Sequence, residues 1–234
     1  EEAKEGVKAT DAGDIMNRVW ETNRICEIID LKSTLPDEFK DKVPPTFVII
    51  IRKLLTSEEA DELYEEQQAL DWDNKYYDTR RKKVLNKRRR HNLMYAEEGQ
   101  EPDYENKKGR IVAWSDVPML RRAVDRLQEL GGPKAENLVC EGNKYKKFEK
   151  KTNVGIGWHG DSERKKVFAI KCGHSMDLRY RWYHRRAIIS AEINLKLNHG
   201  DAYIMSEWAV GKMWKSSSLV TIRHCAVPCG DVEN

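Results

Sequence analysis

A chain of 234 residues, 35% charged and 39% hydrophobic with a mean hydropathy of -0.77, is long enough to close one good core and carry an added subdomain. Seven Trp, nine Tyr and four Phe exclude a disordered chain, because disorder goes with a shortage of large apolar side chains. The longest apolar run, Phe47 to Ile51, falls far short of the roughly 20 residues that cross a bilayer, which excludes membrane insertion.

The net charge of +3 names no partner, but its distribution is uneven. Ser57 to Asp73 is strongly acidic, and Arg80 to Arg90 holds eight basic residues with no acid among them, a local positive pole. Five cysteines with no CxxC pair do not make a disulfide framework and point to an intracellular, reducing compartment. No Walker or dinucleotide-type glycine loop is present, so nucleotide hydrolysis and hydride transfer fall away.

In chain order, Ile15, Val19, Ile25, Ile28 and Ile29 give a moderate helical stripe that predicts an appended N-terminal helical arm, ending at Pro36 and Pro44-Pro45. Such an arm is a place for a protein partner. Thr46 to Ile51, short and rich in β-branched residues, predicts a buried strand. Thr56 and Glu59 have capping-box spacing, and Ala60, Leu63, Tyr64, Gln67 and Leu70 continue one face of a helix. Tyr76 to Tyr95 predicts a hairpin or extended loop, Glu97 to Lys108 a polar connector, and Arg110 to Trp114 a strand. Ser115 is expected to cap a helix with Pro118 in its first turn, running through Val117, Leu120, Val124 and Leu127 to Gly131-Gly132.

From Asn137 the pattern changes to short strands between turns: Asn143 to Phe148, Val154 to Trp158, Val167 to Cys172, Leu178 to His184, Glu192 to Leu197, Ala202 to Ser206 and Leu219 to His224. Strands after helices predict an α+β chain with a jelly roll or related double sheet, flanked by N-terminal helices. The expected organisation is an arm over 1–45 and a domain over 46–234. In that domain, helices and a substrate lid occupy 46–136 and the jelly-roll core 137–234.

The chemistry centres on His159-Gly160-Asp161, directly after the glycine-spaced strand Val154-Gly155-Ile156-Gly157-Trp158. An imidazole and a carboxylate two residues apart converge on one metal if the backbone turns between them, and Gly160 permits that turn. A third ligand completes the two-histidine, one-carboxylate site that suits non-haem iron and leaves positions open. His224 on the last strand is the choice and His199 the rival. His199-Gly200-Asp201, however, has an ordinary reading as a strand-opening turn, and His174 and His184 read as solvent-facing or core residues.

Asn143-Lys144-Tyr145, then Gly157-Trp158-His159-Gly160-Asp161-Ser162-Glu163, then Asn198-His199-Gly200-Asp201 before an apolar strand, then a late basic, histidine-bearing strand, resemble the AlkB-like branch of the iron(II)/2-oxoglutarate dioxygenases. The resemblance covers Leu54 to the C-terminus. It implies a double-stranded β-helix core, with Fe(II), 2-oxoglutarate as co-substrate, and O2. It further implies His159, Asp161 and His224 as iron ligands and Asn143 and Tyr145 as contacts to oxoglutarate. The arginine that this family places beyond the distal histidine has no counterpart after His224, so Arg223 or another inward basic residue is expected to pair with the far carboxylate. A shifted register, with Leu219 to Arg223 as the arginine strand, would instead put Trp214 at the distal-ligand position.

Arg80, Arg81, Lys82, Lys83, Lys87, Arg88, Arg89 and Arg90, with Tyr76, Tyr77, His91 and Tyr95 nearby, suit phosphate contact and base stacking. In the family, this region forms a lid over the substrate base. The alternative is a solvated loop paired with the acidic helix. The function expected is hydroxylation of an alkyl or methyl group on a nucleobase. The contrasting readings are a catalytically degenerate dioxygenase-fold protein acting as a binding or structural subunit, and a nucleic-acid-binding module without turnover.

Overall fold

Helix α1 (Ala9–Glu21) buries Ala12, Ile15 and Val19, the three- and four-residue spacing of an apolar stripe. The stripe expected to continue through Ile29 is broken at Asn23, whose φ of 58° turns the chain out of the helix, and Cys26–Asp30 becomes strand β1. A short helix α2 (Asp37–Lys40) leads to β2 (Phe47–Ile51), all five residues of which are buried. β1 pairs antiparallel with β2 along its full length, so residues 26–30 build the sheet of the main body and do not hang from it as an arm. The computed structural model describes residues 5–88, 90–145 and 154–229. Arg89 and the 146–148 end of the strand expected from Asn143 to Phe148 lie outside the described residues.

Helix α3 (Ser57–Gln68) starts with the expected reciprocal cap between Thr56 and Glu59. The basic run forms a hairpin of β3 (Lys75–Asp78) and β4 (Lys83–Asn86), which leads into β5 (Arg90–Ala96). In its turn, Asp78 Oδ1 accepts the backbone N–H of Arg80 and of Arg81, both at 2.9 Å. β6 (Ile111–Ala113) pairs parallel to β5. Helix α4 runs from Pro118 to Gly131 with the expected proline in its first turn, but Val117 stands at its cap position in place of the expected Ser115. Its first N–H groups are capped from a distance: the Glu66 carboxylate accepts from Met119 N (2.8 Å) and Leu120 N (3.0 Å), satisfying donors that a helix leaves open. At its other end Arg18 Nε donates to the Leu130 carbonyl at 2.8 Å.

The remaining strands are β7 (Cys140–Tyr145), β8 (Ile156–His159), β9 (Val167–Ile170), β10 (Met176–His184), β11 (Ala187–Ile188), β12 (Ile193–Leu197), β13 (Ala202–Met205) and β14 (Thr221–Pro228). A four-stranded sheet runs β1-β2-β13-β9, and a five-stranded sheet runs β11-β10-β14-β8 with β12 also on β10. β7 pairs instead with β5, forming a small sheet in the order β6-β5-β7.

The two large sheets face each other across one core. Val48, Ile50 and Met205 of the first meet Leu178, Tyr180, Trp182, Leu195, Leu197 and Ile222 of the second. Because strand side chains alternate, Phe47, Ile49 and Ile51 point the other way, onto α1 and α4 through Ile15, Val19, Leu127 and Leu130. That double burial explains the unbroken apolar run of β2. Trp182 is fully buried and its Nε1 donates to the Leu31 carbonyl at 2.7 Å, so its apolar ring is buried without stranding its one donor. The architecture is mixed α and β with facing sheets, in keeping with the expected jelly roll. Among the described residues no helix is long and apolar enough to cross a membrane, and all five cysteines are thiols.

Candidate metal centre

Successive side chains of β14 point to opposite faces of the sheet. Ile222 and His224 are buried on the face toward the core, whereas Arg223 between them lies on the opposite face. β8 pairs antiparallel with β14, and His159 stands directly across from His224, next to an irregularity in register. The two imidazoles are therefore neighbours, with ring centroids 4.5 Å apart. The chain turns immediately after His159, and Asp161 N donates to the Val210 carbonyl at 2.8 Å, which returns the Asp161 carboxylate toward both rings.

Gly160 serves this turn by its size. Its φ is not in the left-handed region, contrary to the conformational role expected of it, but a Cβ there would collide with the Gly211 carbonyl and lie 2.7 Å from Trp214 Cδ1. Backbone and indole close directly over the turn. Trp214 Nε1 also donates to Ser162 Oγ at 3.1 Å, so this residue braces the turn from a loop and occupies no strand position.

His159 Nε2 is 3.7 Å from Asp161 Oδ1, and His224 Nε2 is 3.8 Å from Asp161 Oδ2. One ligand atom from each of the three residues falls within 4.8 Å of the others. These separations are too long for hydrogen bonds and suit groups that share a cation. His159 Nδ1 lies 2.7 Å from the Gly157 carbonyl; a carbonyl only accepts, so Nδ1 carries the proton and Nε2 offers its lone pair, the orienting contact usual for a metal-bound histidine. Burial, and then the neighbouring His159, hold the His224 pKa down from 6.5 to about 3, against the pull of the Ala209 carbonyl. Among the described residues its buried Nδ1 has no well-aligned partner. A buried imidazole that stays neutral is the form that ligates a metal, and with one carboxylate and a second imidazole it makes the donor set of an open facial iron site.

The wall around the triad is phenolic. Tyr180 is fully buried 5.8 Å from the His224 ring, and among the described residues its hydroxyl has no hydrogen-bond partner. Burial raises the pKa of Tyr180, Tyr203 and Tyr145, with Asp161 adding to each shift. Three neutral phenols thus stand near the carboxylate. Tyr145 lies beside Arg90, its partner across β5 and β7. On the same face Asn92 Nδ2 donates to Asn143 Oδ1 at 2.7 Å and to Glu141 Oε1 at 2.9 Å. Arg164 closes the group, with Nη2 at 2.7 Å from Glu141 Oε2 and Nη1 at 3.7 Å from Asp161 Oδ2.

Among the expected site residues, His159, Asp161 and His224 come together, with Tyr145 close by and Asn143 on its face of β7. Arg223 does not join them: an odd step along β14 carries it through the sheet, where its guanidinium stacks 4.1 Å from the Tyr183 ring centroid. The guanidiniums on the metal side are Arg164 and Arg90. His199 is engaged elsewhere, accepting from Gly173 N at 2.8 Å and lying 3.0 Å from Asp61 Oδ1. His174 sits against the Cys229 carbonyl and His184 against Phe39. Of the basic run, Arg80, Arg81, Lys82, Lys83 and Arg88 are exposed. Lys87 is half-buried, with burial lowering its pKa against the pull of Asp73, and Arg90 faces Tyr145. Arg164, Tyr180 and Tyr203 escaped the sequence reading. Arg164 was within reach of it, three residues beyond Asp161 in the same turn, and the two tyrosines lie on the inward positions of alternating strands.

Residues 47–213 match the model of the 2OG-Fe(II) oxygenase superfamily, a span that includes His159 and Asp161 and stops short of β14. An uncharacterized protein of Acanthamoeba polyphaga mimivirus is 35% identical over 227 residues, covering 95% of this chain and 85% of the viral protein. The superfamily works with Fe(II), 2-oxoglutarate and O2. The family match and the clustered donor set lead to one conclusion: the chain belongs to the 2OG-Fe(II) oxygenase superfamily.

Proposed function

We propose that the protein is an Fe(II)/2-oxoglutarate-dependent dioxygenase of the AlkB-like branch, built on a double-stranded β-helix, that hydroxylates an alkyl or methyl group on a nucleobase. The observation that carries this reading is a continuous ribbon. The exposed cations Arg80, Arg81, Lys82 and Lys83 of the β3–β4 hairpin lead into β5, whose Arg90 and Asn92 share a face with Asn143 and Tyr145 beside the triad. Phosphate-binding charge and the metal site are thereby joined along one stretch of chain.

His159, Asp161 and His224 hold the iron, and Asn143 and Tyr145 contact 2-oxoglutarate. Arg164 and Arg90 supply the positive charge that a dicarboxylate needs and that Arg223, on the far face, does not bring. Bound Fe(II), with 2-oxoglutarate and O2, supplies the oxidising power for hydroxylation. The chain orients the ligands through Gly157 and Val210, and its buried tyrosines keep water from the inner side. Five thiols fit a reducing, intracellular setting.

The test is aerobic turnover with Fe(II) and 2-oxoglutarate on single-stranded DNA and RNA oligonucleotides carrying N-methylated bases, reading succinate and formaldehyde. Equal release of both on a methylated oligonucleotide is the expected result. Turnover on methylated peptide alone would overturn the nucleobase assignment. A folded protein that binds no iron(II) would leave a binding or structural subunit in its place.

A further inference from the structure

We propose that the outer face of the β10-β14-β8 sheet is a second phosphate-binding surface for a nucleic-acid backbone, an inference that rests on the nucleobase reading above. This is the face onto which alternation throws Arg223. Cations and rings interleave along it: Arg181 lies 4.6 Å from the Trp158 ring centroid, Arg223 lies 4.1 Å from Tyr183 and 5.3 Å from Trp214, and Lys215 lies 5.4 Å from Trp214. A guanidinium stacked by its plane keeps N–H groups at its edge for a phosphate, while the ring restricts its motion.

The charges on this face are unevenly balanced. Arg179 is held by Asp177 at 3.0 Å and Glu192 at 3.4 Å, and Arg181 by Glu192 at 2.7 Å. Among the described residues Arg223 and Lys215 have no carboxylate within ion-pair distance, and Arg223 Nε is buried without a partner. The strip also starts at the metal centre, because Trp214 packs on Gly160 and donates to Ser162. A backbone whose base enters the site has this strip beside it.

An independent observation lies at the tip of the β10–β11 hairpin. Tyr183 pairs with Ile188 and His184 with Ala187, leaving a two-residue loop of Arg185 and Arg186 with φ of 49° and 68°. Positive φ at both positions is the geometry that favours Asn-Gly, and it is strained for a residue with a long side chain. Two exposed arginines therefore sit where folding alone selects against them, at the end of the strand that carries Arg181 and Tyr183. Phosphate contact gives that placement a function.

The experiment measures binding of a fluorescein-labelled oligothymidylate of about 16 nucleotides, by anisotropy, over a range of salt concentrations. Three variants are compared with the parent. The strip variant is Arg223→Gln with Lys215→Gln, the turn variant Arg185→Asn with Arg186→Gly, and the hairpin variant Arg80→Ala with Arg81→Ala and Lys82→Ala. At about 0.7 per phosphate contact on a single strand, the strip and turn variants should each lower the salt slope by about 1.4. The turn variant should at the same time melt higher than the parent, since Asn-Gly relieves the loop, so weaker binding cannot be put down to poorer folding. Arg223→Lys, which keeps the charge, should keep the slope. Parental slopes in the strip and turn variants, with a lowered slope in the hairpin variant, overturn the second surface and leave the nucleobase reading intact. Failure of the parent to bind the oligothymidylate at low salt overturns both.

Discussion

The two faces of the β10-β14-β8 sheet use neighbouring residues in opposite ways. On the inner face His224 is buried, neutral and set against His159 and Asp161 by strand register. On the outer face Arg223, one residue earlier, is half-buried, charged and stacked on Tyr183 and Trp214. The inner face is specified by geometry: each donor has a fixed neighbour, and a shift of one residue would turn the whole set out of the core. The outer face is specified by charge and ring area, which tolerate displacement. One strand can thus carry a site that demands exact register and a surface that does not.

The largest stability difference between the faces should appear in acid. With its pKa lowered from 6.5 to about 3, His224 stays neutral in the folded chain while its unfolded counterpart takes a proton. Its contribution is therefore complete above about pH 6.5 and is lost as pH falls toward about 3, at up to ~1.4 kcal/mol per pH unit. Urea unfolding of the metal-free protein at about pH 7 and about pH 5.5 should show this loss in the parent and a smaller one in His224→Gln. Equal losses would mean that His224 is not the buried group.

Gly160→Ala attacks the inner face through its brace. A Cβ meeting the Gly211 carbonyl and Trp214 should cost about 1–3 kcal/mol as overpacking and displace Asp161, so iron(II) affinity should fall along with the unfolding midpoint. On the outer face, Arg223→Ala removes two ring contacts and should cost about 1 kcal/mol with iron(II) affinity unchanged. Smaller still, the variant Arg80→Ala, Arg81→Ala, Lys82→Ala should move folding stability by no more than about 0.5 kcal/mol, because those side chains are exposed. Thermal unfolding separates these three cases.

What the sequence made legible follows the same division. The His159 and Asp161 spacing, the Thr56 cap and the short strands of the second half could be read locally, because each rests on contacts within a few residues. Arg223 and His224 look like members of one site when read as neighbours in sequence, but a period of two puts adjacent strand residues on opposite faces. Ile28 and Ile29 fitted a helical stripe because four- and three-residue spacings also occur in short strands; Asn23, turning with positive φ, was the missed stop. The cap of α4 comes from Glu66, 53 residues before Met119, and the Glu141–Arg164 pair depends on how β7 lies against the loop after β8. Contacts of that range are set by tertiary packing and leave no local pattern.

Anaerobic iron(II) titration of the parent, His159→Ala, His224→Ala, His199→Ala and Arg223→Ala, each checked for folding by circular dichroism, tests the central claim most directly. Changes to residues that merely orient a ligand cost about 10–100-fold in metal affinity, so loss of His159 or His224 should cost at least the upper end of that range. His199→Ala and Arg223→Ala should bind as the parent does. Parental iron binding by His224→Ala, or loss of binding in His199→Ala with His224→Ala intact, would contradict the triad of His159, Asp161 and His224.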